Sequence, residues 1–241
     1  MKQEEAWKAS QSLAGTARVF DRRLYLATGV LALLVVLVGF SHTFYLRAWF
    51  DVPPLSGLRY LHGVLMTTWY ALFVTQVLLV SVRRVDTHRR LGILGALTAA
   101  AIVPVGVATA IAFIQRVRGN SEEAPVAAII AGYDFISLLI FALLVGTALA
   151  LRRRSDVHKR LMTIASLSLL GPALARVVSD ELAVWLTDVL VLMPITIDTW
   201  RHRRLHPAFG WTGALVLIST RGGVHIAASS QWIDFALRTF S

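Results

Sequence analysis

Cysteine is absent from the 241 residues, and charged residues make up only 16% of the chain. The lack of cysteine excludes disulfide bonds, thiolate metal ligands, cysteine-bound iron–sulfur clusters and covalent haem attachment through a CxxCH motif. Soluble domains carry about 25% charged residues. The low charge, together with 56% hydrophobic residues and a mean hydropathy of +0.64, therefore excludes an ordinary water-soluble domain.

The hydrophobic residues are gathered in seven runs, each long enough to cross a bilayer as an α-helix. None of the runs alternates polar and apolar residues as a barrel strand does. We place the runs at residues 24–43, 58–82, 91–114, 126–151, 159–178, 182–200 and 207–230. The predicted fold is all-α, a seven-transmembrane helix bundle over residues 24–241, with the first run retained as an anchor. Residues 1–23 are predicted to precede it as a cytoplasmic segment, forming either an interfacial helix or a frayed tail.

The basic residues orient this bundle. Five lie before the first run, and the turns at 83–90, 152–160 and 201–204 hold four, five and three more, so 17 of the 24 share one side. By the positive-inside rule the N-terminus lies in the cytoplasm and the C-terminus outside, in the inner (cytoplasmic) membrane of a cell. The net charge of +10 then reflects topology, and the expected partners are the bilayer and its anionic lipid headgroups, not nucleic acid.

Three of the cytoplasmic turns repeat one pattern. They read RRVDTHRRLG, RRRSDVHKRLM and DTWRHRRLHP, each with H-[RK]-R-L preceded by an aspartate, namely Asp86, Asp156 and Asp198. Each pattern opens a new hydrophobic run. The chain is therefore predicted to be a lead helix followed by three similar hairpins.

Four histidines lie in these turns, and they offer a candidate metal site: His88, His158, His202 and His206. His202 and His206 have the i, i+4 spacing that places two ligands on one helix face. Each histidine, however, is flanked by arginine or lysine, which repels a divalent cation. An anchoring role in the turn is therefore favoured over the metal site.

A second polar set lies high in the apolar runs. His42, His62 and His225 are 19–21 residues from the nearest cytoplasmic cation of their runs, roughly 28–32 Å along a helix. Four charged residues lie somewhat lower, roughly 20–27 Å along their helices: Asp134, Arg176, Asp188 and Arg221. Charges at such depths must face the bundle interior, a water cavity or one another. We therefore expect the two aspartates to pair with the two arginines.

These residues are predicted to line a ligand or cofactor pocket in the outer half of the bundle. Trp69 and Gln76 follow His62 at seven-residue intervals and share its helix face, while His225 follows Arg221 by one turn. The complete predicted set is His62, His225, His42, Arg59, Trp69, Gln76, Tyr133, Asp134, Arg176, Asp188 and Arg221.

The run GVLMTTWYALFVTQVLLVSVRRVDTHRRLG and the later RRRSDVHKRLMTIASLSLLGPALAR resemble a family of uncharacterised bacterial polytopic membrane proteins, over roughly residues 40–225. His62–Gly63, HRRLG, HKRLM and the HP before the last run are typical of that family, to which no activity is assigned. The HKRLM-like turn is also similar, over a shorter stretch, to membrane proteins linked to haem-copper oxidase assembly.

Three functions remain open from the sequence. A binding protein with an outer pocket comes first, and its most specific form places haem b between His62 and His225, with His42 as a substitute ligand and Arg59 or Arg221 on the propionates. An accessory or assembly subunit of a larger membrane complex is the second. A small-solute or proton transporter is the third, suggested by the buried charges and by the proline kinks at Pro172 and Pro194. No complete catalytic motif is present, so the sequence does not favour an enzyme.

Overall fold

The structure is a computed structural model that describes the backbone of residues 2–240 and the side chains of residues 20–240. Within that part the chain is all-helical, without strands. Its helices are α1 (Lys2–Gly39), α2 (Gly57–Ser81), α3 (Val85–Arg116), α4 (Glu123–Ala150), α5 (Ser155–Leu167), α6 (Gly171–Leu174), α7 (Asp180–His202), α8 (Pro207–Ala227) and α9 (Ser230–Phe240). A π-helical turn, Ser41–Tyr45, and a 3₁₀ turn, Arg47–Trp49, follow α1.

Five helical segments are long and apolar enough to cross a membrane: Phe20–Gly39, Gly57–Ser81, Val85–Arg116, Glu123–Ala150 and Asp180–His202. The chain is therefore a multi-pass integral membrane protein. The predicted fifth run differs from expectation because it is interrupted, with α5 ending at Leu167 and only four residues of α6 following. The predicted seventh run forms α8, which has 21 residues but is not among these five segments.

Capping residues explain where three of the helices begin. Ser56 and Ser179 cap α2 and α7 with their side-chain oxygens, and Pro207 stands in the first turn of α8, where its missing N–H costs nothing. The cap of α8 is His206, whose Nδ1 accepts from the Ala208 N–H at 3.1 Å. The His206–Pro207 pair of the third repeated turn therefore marks the beginning of α8.

The backbone of α1 runs without interruption from Lys2 to Gly39, across the boundary predicted at residue 23. The side-chain pattern of an interfacial helix over residues 3–19 lies outside the described side chains. At the other end of the chain, α9 was not predicted; it packs on α4, where the Trp232 indole N–H donates to the Ala128 carbonyl at 2.8 Å.

The core lies between the helices in the middle of the bundle. α4 is central and packs against α3, α5, α8 and α9, while α2 packs against α1 and α3, and α8 against α4, α5 and α7. The turns at 82–84, 151–154 and 203–206 lie together at one end, which we call the basic end. Contacts between them establish this placement, including His206 to Asp156 at 3.2 Å and the rings of His88 and His158 at 6.5 Å.

Candidate functional site

An ion pair joins α7 to α8 at the end of the bundle opposite the basic end. Arg221 Nη2 donates to Asp188 Oδ2 at 2.5 Å, and the Thr220 hydroxyl donates to Asp188 Oδ1 at 2.8 Å. The Arg221 guanidinium also lies over the Trp185 ring, 3.6 Å from its centroid. The Asp188 carboxylate is buried and its charge is fully compensated, as a charge at this depth requires. This pairing was predicted from the sequence and is confirmed.

The second predicted pairing is not formed. Arg176 Nη1 donates to the Pro172 carbonyl at 2.6 Å, and its guanidinium lies 4.2 Å from the Phe40 ring centroid. Asp134 and Arg176 interact only at longer range, since no ion pair within 4.0 Å joins them. Among the described residues Asp134 has no hydrogen bond or ion pair to any side chain or backbone group. The half-buried Asp134 carboxylate on the central helix α4 can therefore accept hydrogen bonds from another group.

Three buried polar atoms on α2 and α4 lack a hydrogen-bond partner within the described chain. They are His62 Nδ1, Trp69 Nε1 and the Tyr133 hydroxyl. Trp69 meets the Phe141 ring edge-on at 4.9 Å, which ties its face of α2 to α4. Buried polar atoms in proteins are nearly always paired with protein groups or ordered water. These three groups therefore need water or a ligand as a partner.

The interruption between α5 and α6 lies beside the Tyr133 hydroxyl. Every residue from Thr163 to Gly171 is buried, so the break is inside the bundle and not at its surface. The Tyr70 hydroxyl donates to the Ser166 carbonyl at 2.9 Å and satisfies one acceptor that the break releases. A Cβ atom placed on Gly171 would lie 3.3 Å from the Tyr133 oxygen, so only glycine leaves that hydroxyl its present room.

Four of the predicted pocket residues do not join this group. Gln76 lies toward the basic end: with its amide nitrogen turned to α3, it donates to His88 Nδ1 at 2.6 Å and accepts from the Gly92 N–H at 2.9 Å. His42 is exposed and packs against the Phe50 ring at 4.4 Å. Arg59 turns back to the loop that precedes α2, and His225 is exposed on α8.

The predicted haem ligation is not supported by this arrangement. His62 is on α2 and His225 is on α8, and these two helices share no extended interface in the described chain. Bis-imidazole ligation needs the two rings to face one another across the iron. No such pair exists between His62, His225 and His42 as the structure places them.

Two grooves of about 300 Å³ each are present. One lies between the segment after α1 and the start of α2, lined by Phe44, Tyr45, Tyr60, Val64, Thr67 and Thr68. The other lies at the basic end between α4, α5 and α8. Neither groove is lined by any of the eleven predicted residues.

The four histidines of the basic end are separated into different contacts, so the predicted metal set does not form. His88 is bonded to Gln76, and His158 Nδ1 is 2.8 Å from the Ala148 carbonyl oxygen. His206 bonds to Asp156, while His202 Nδ1 is 2.9 Å from the backbone oxygen of Asp198. His88, His158 and His206 each join a turn to a neighbouring helix, and His202 Nε2 lies 3.7 Å from Asp21 Oδ1 on α1, so these contacts agree with the anchoring interpretation.

A buried charge cluster at the basic end was missed by the sequence reasoning. Arg160 Nη2 on α5 donates to both carboxylate oxygens of Asp198 on α7, at 2.8 and 2.9 Å, and Arg160 is 4% exposed. Next to it, Lys159 Nζ lies 2.7 Å from Asp21 Oδ2 on α1. Oxygen and nitrogen atoms of Asp21, Asp198 and His202 come within 4.8 Å of one another. Because Arg160 and Lys159 neutralise both carboxylates, the cluster is a three-helix ion-pair clamp and not a metal centre.

Comparison with models of protein families, with curated proteins and with solved structures finds no match to this chain.

Proposed function

We propose that the chain crosses a bacterial inner membrane seven times, with its N-terminus in the cytoplasm. The broken pair α5 and α6 supplies the fifth crossing, and α8 the seventh. A helix of 21 residues such as α8 is roughly 31 Å long, about the thickness of the hydrocarbon core. The collection of three arginine-rich turns at one end of the bundle supports this orientation.

We further propose that the protein binds a small polar ligand in the outer half of the bundle, beside the α5–α6 break. The observation that carries this proposal is the set of unpartnered buried atoms on α2 and α4: His62 Nδ1, Trp69 Nε1 and the Tyr133 hydroxyl. An unsatisfied buried polar group costs roughly 1–3 kcal/mol, so leaving three of them without a role is unfavourable.

The chemistry of these groups indicates the class of ligand. Trp69 and Tyr133 offer N–H and O–H donors, and His62 offers a donor or an acceptor according to its tautomer. Asp134 adds an unpaired carboxylate, whereas Asp188 is already occupied by Arg221. A small ligand with several hydrogen-bonding groups and at most one positive charge suits this set better than haem or a metal ion.

Transport is the second candidate function, and the broken helix favours it. Discontinuous helices in membrane transporters expose backbone groups at the substrate site near the middle of the bilayer. The α5–α6 break has this character, and α7 beside it contains Pro194 in its interior. Transport requires the ligand site to open to both sides in turn, which a simple binder does not need.

The absence of cysteine makes the proposal directly testable, because a single introduced cysteine is then the only thiol in the chain that a reagent can modify. Ser137 lies one turn after Tyr133 on the same face of α4, so Ser137→Cys places a nearly isosteric thiol beside the proposed site. We expect a charged, membrane-impermeant thiol reagent applied to spheroplasts to modify this cysteine. Only an ionised thiol reacts, and ionisation requires water.

The matched control is Leu139→Cys, because Leu139 is on the same helix but 58% exposed toward the lipid side. In hydrocarbon its thiol stays protonated, so we expect modification to be at least about tenfold slower than at Ser137→Cys. Equal and slow modification of the two variants would show that no water-accessible pocket exists, and the proposed function would then be wrong.

A further inference from the structure

The groove of about 300 Å³ at the basic end opens at the outer surface of the bundle, where its lining residues Leu143 and Trp211 are exposed. Its walls come from the last turns of α4, the first turns of α5 and the first turns of α8, so it runs along the helices toward the arginine-rich turns. Trp211 stands at its edge and is 81% exposed. Exposed tryptophan at this level of a spanning helix is typical of the boundary between hydrocarbon and headgroups.

Positive charge is concentrated at one end of this groove. Leu151 lines the groove, and the next three residues are Arg152, Arg153 and Arg154. Arg152 Nη1 is bonded to the Leu149 carbonyl, but Arg153 and Arg154 make no side-chain hydrogen bond or ion pair with the described residues.

A second basic turn, which immediately precedes α8, lies next to the first. It contains Arg203 and Arg204, and the hydrogen bond from His206 to Asp156 ties it to the first turn at 3.2 Å. This bond also occupies the acidic residue closest to the arginines. The end of the groove is therefore a cationic site beside an apolar channel.

We propose that this groove binds an anionic phospholipid, with one acyl chain along the groove and the phosphate on Arg153 and Arg154. The occupant is a lipid because the apolar walls face the hydrocarbon while the charge lies only at the interfacial end. An anionic headgroup fits better than a zwitterionic one because arginine attracts the phosphate and repels a choline or ammonium group. The proposal depends on membrane insertion alone and is independent of the proposed outer pocket.

The test compares lipid retention by native mass spectrometry of the purified full chain in detergent, with phosphatidylglycerol or phosphatidylcholine added. We expect the unmodified chain to retain phosphatidylglycerol preferentially. Near a surface each arginine contributes roughly 1 kcal/mol, about a fivefold factor, so Arg153→Gln/Arg154→Gln should weaken retention of phosphatidylglycerol about thirtyfold. The matched control, Arg116→Gln/Arg118→Gln, removes two exposed arginines at the opposite end and should leave retention unchanged.

A second variant tests the groove itself. Thr147→Trp fills the groove from its exposed wall without changing any charge, and it too should reduce phosphatidylglycerol retention about tenfold or more. Leu143→Trp, on the same wall, serves if the first variant does not fold. Retention unchanged in either the arginine or the groove variants would overturn the proposal. Full competition by soluble glycerophosphate would also overturn it, since that would show a phosphate site that needs no acyl chain.

Discussion

Replacing Arg160 by methionine is expected to destabilise the folded protein by about 3–5 kcal/mol, because it leaves the Asp198 carboxylate buried without its counter-ion. The Asp198 side chain is 0% exposed and receives two short bonds from the guanidinium. The guanidinium carbon of Arg160 also lies 5.4 Å from the centroid of the buried Phe209 ring. Unfolding in a denaturing detergent, followed by the fluorescence of the seven tryptophans, measures the loss.

Two further variants separate the ion pair from general effects of charge. Arg152→Met removes an exposed arginine at the same end and should change stability by no more than about 0.5 kcal/mol. The double variant Arg160→Met/Asp198→Leu removes both charges together and should recover most of the loss, as buried pairs replaced by apolar residues usually do. If Arg160→Met unfolds like Arg152→Met, the clamp does not stabilise the bundle.

The clamp shows where sequence reasoning reaches its limit. Asp198 was recognised as part of a repeated turn, and Arg160 was counted among the basic residues that orient the chain. Nothing in the local pattern indicated that they pair across 38 residues or that the pair is buried. The apolar blocks showed which segments are helical, but the rotation of α5 and α7 about their axes, which brings these two residues together, depends on packing.

The pair Asp188 and Arg221 was predictable for a physical reason. Each is an isolated charge within an apolar run, and few opposite charges exist at the same depth. The equivalent reasoning was wrong for Asp134 and Arg176 because it counted depth along an unbroken fifth helix. The interruption after Leu167 redirects the chain, and Arg176 meets Phe40 and the Pro172 carbonyl instead.

Gln76 illustrates a different error. A seven-residue interval places it on the same helix face as His62, and that inference about the face was sound. Two such intervals are roughly 21 Å along the axis, however, so the two side chains are near opposite ends of α2. The bond from Gln76 to His88 shows that its partner is in the basic turn.

Replacing Gly39 by alanine is expected to destabilise the protein by about 1–3 kcal/mol, since overpacking a close contact forces the backbone to shift. A Cβ atom on Gly39 would lie 2.2 Å from the carbonyl oxygen of Ala173 in α6 and 2.8 Å from its carbonyl carbon. These are main-chain atoms, so no rotamer change relieves the clash, and α1 and α6 must move apart. Detergent-induced unfolding again measures the change.

Gly146→Ala is the matched control, with the opposite sign expected. Nothing lies within 4 Å of a Cβ atom at Gly146, which is in the interior of α4. Alanine has the higher helix propensity, so this variant should be neutral or more stable by up to about 1 kcal/mol. The movement forced by Gly39→Ala should also reach the helix break, because Ala173 is two residues after Gly171, and the thiol of Ser137→Cys should then react at a changed rate. Equal stability of the two alanine variants would mean that α6 is not held against α1, and the position of the break beside Tyr133 would lose its structural support.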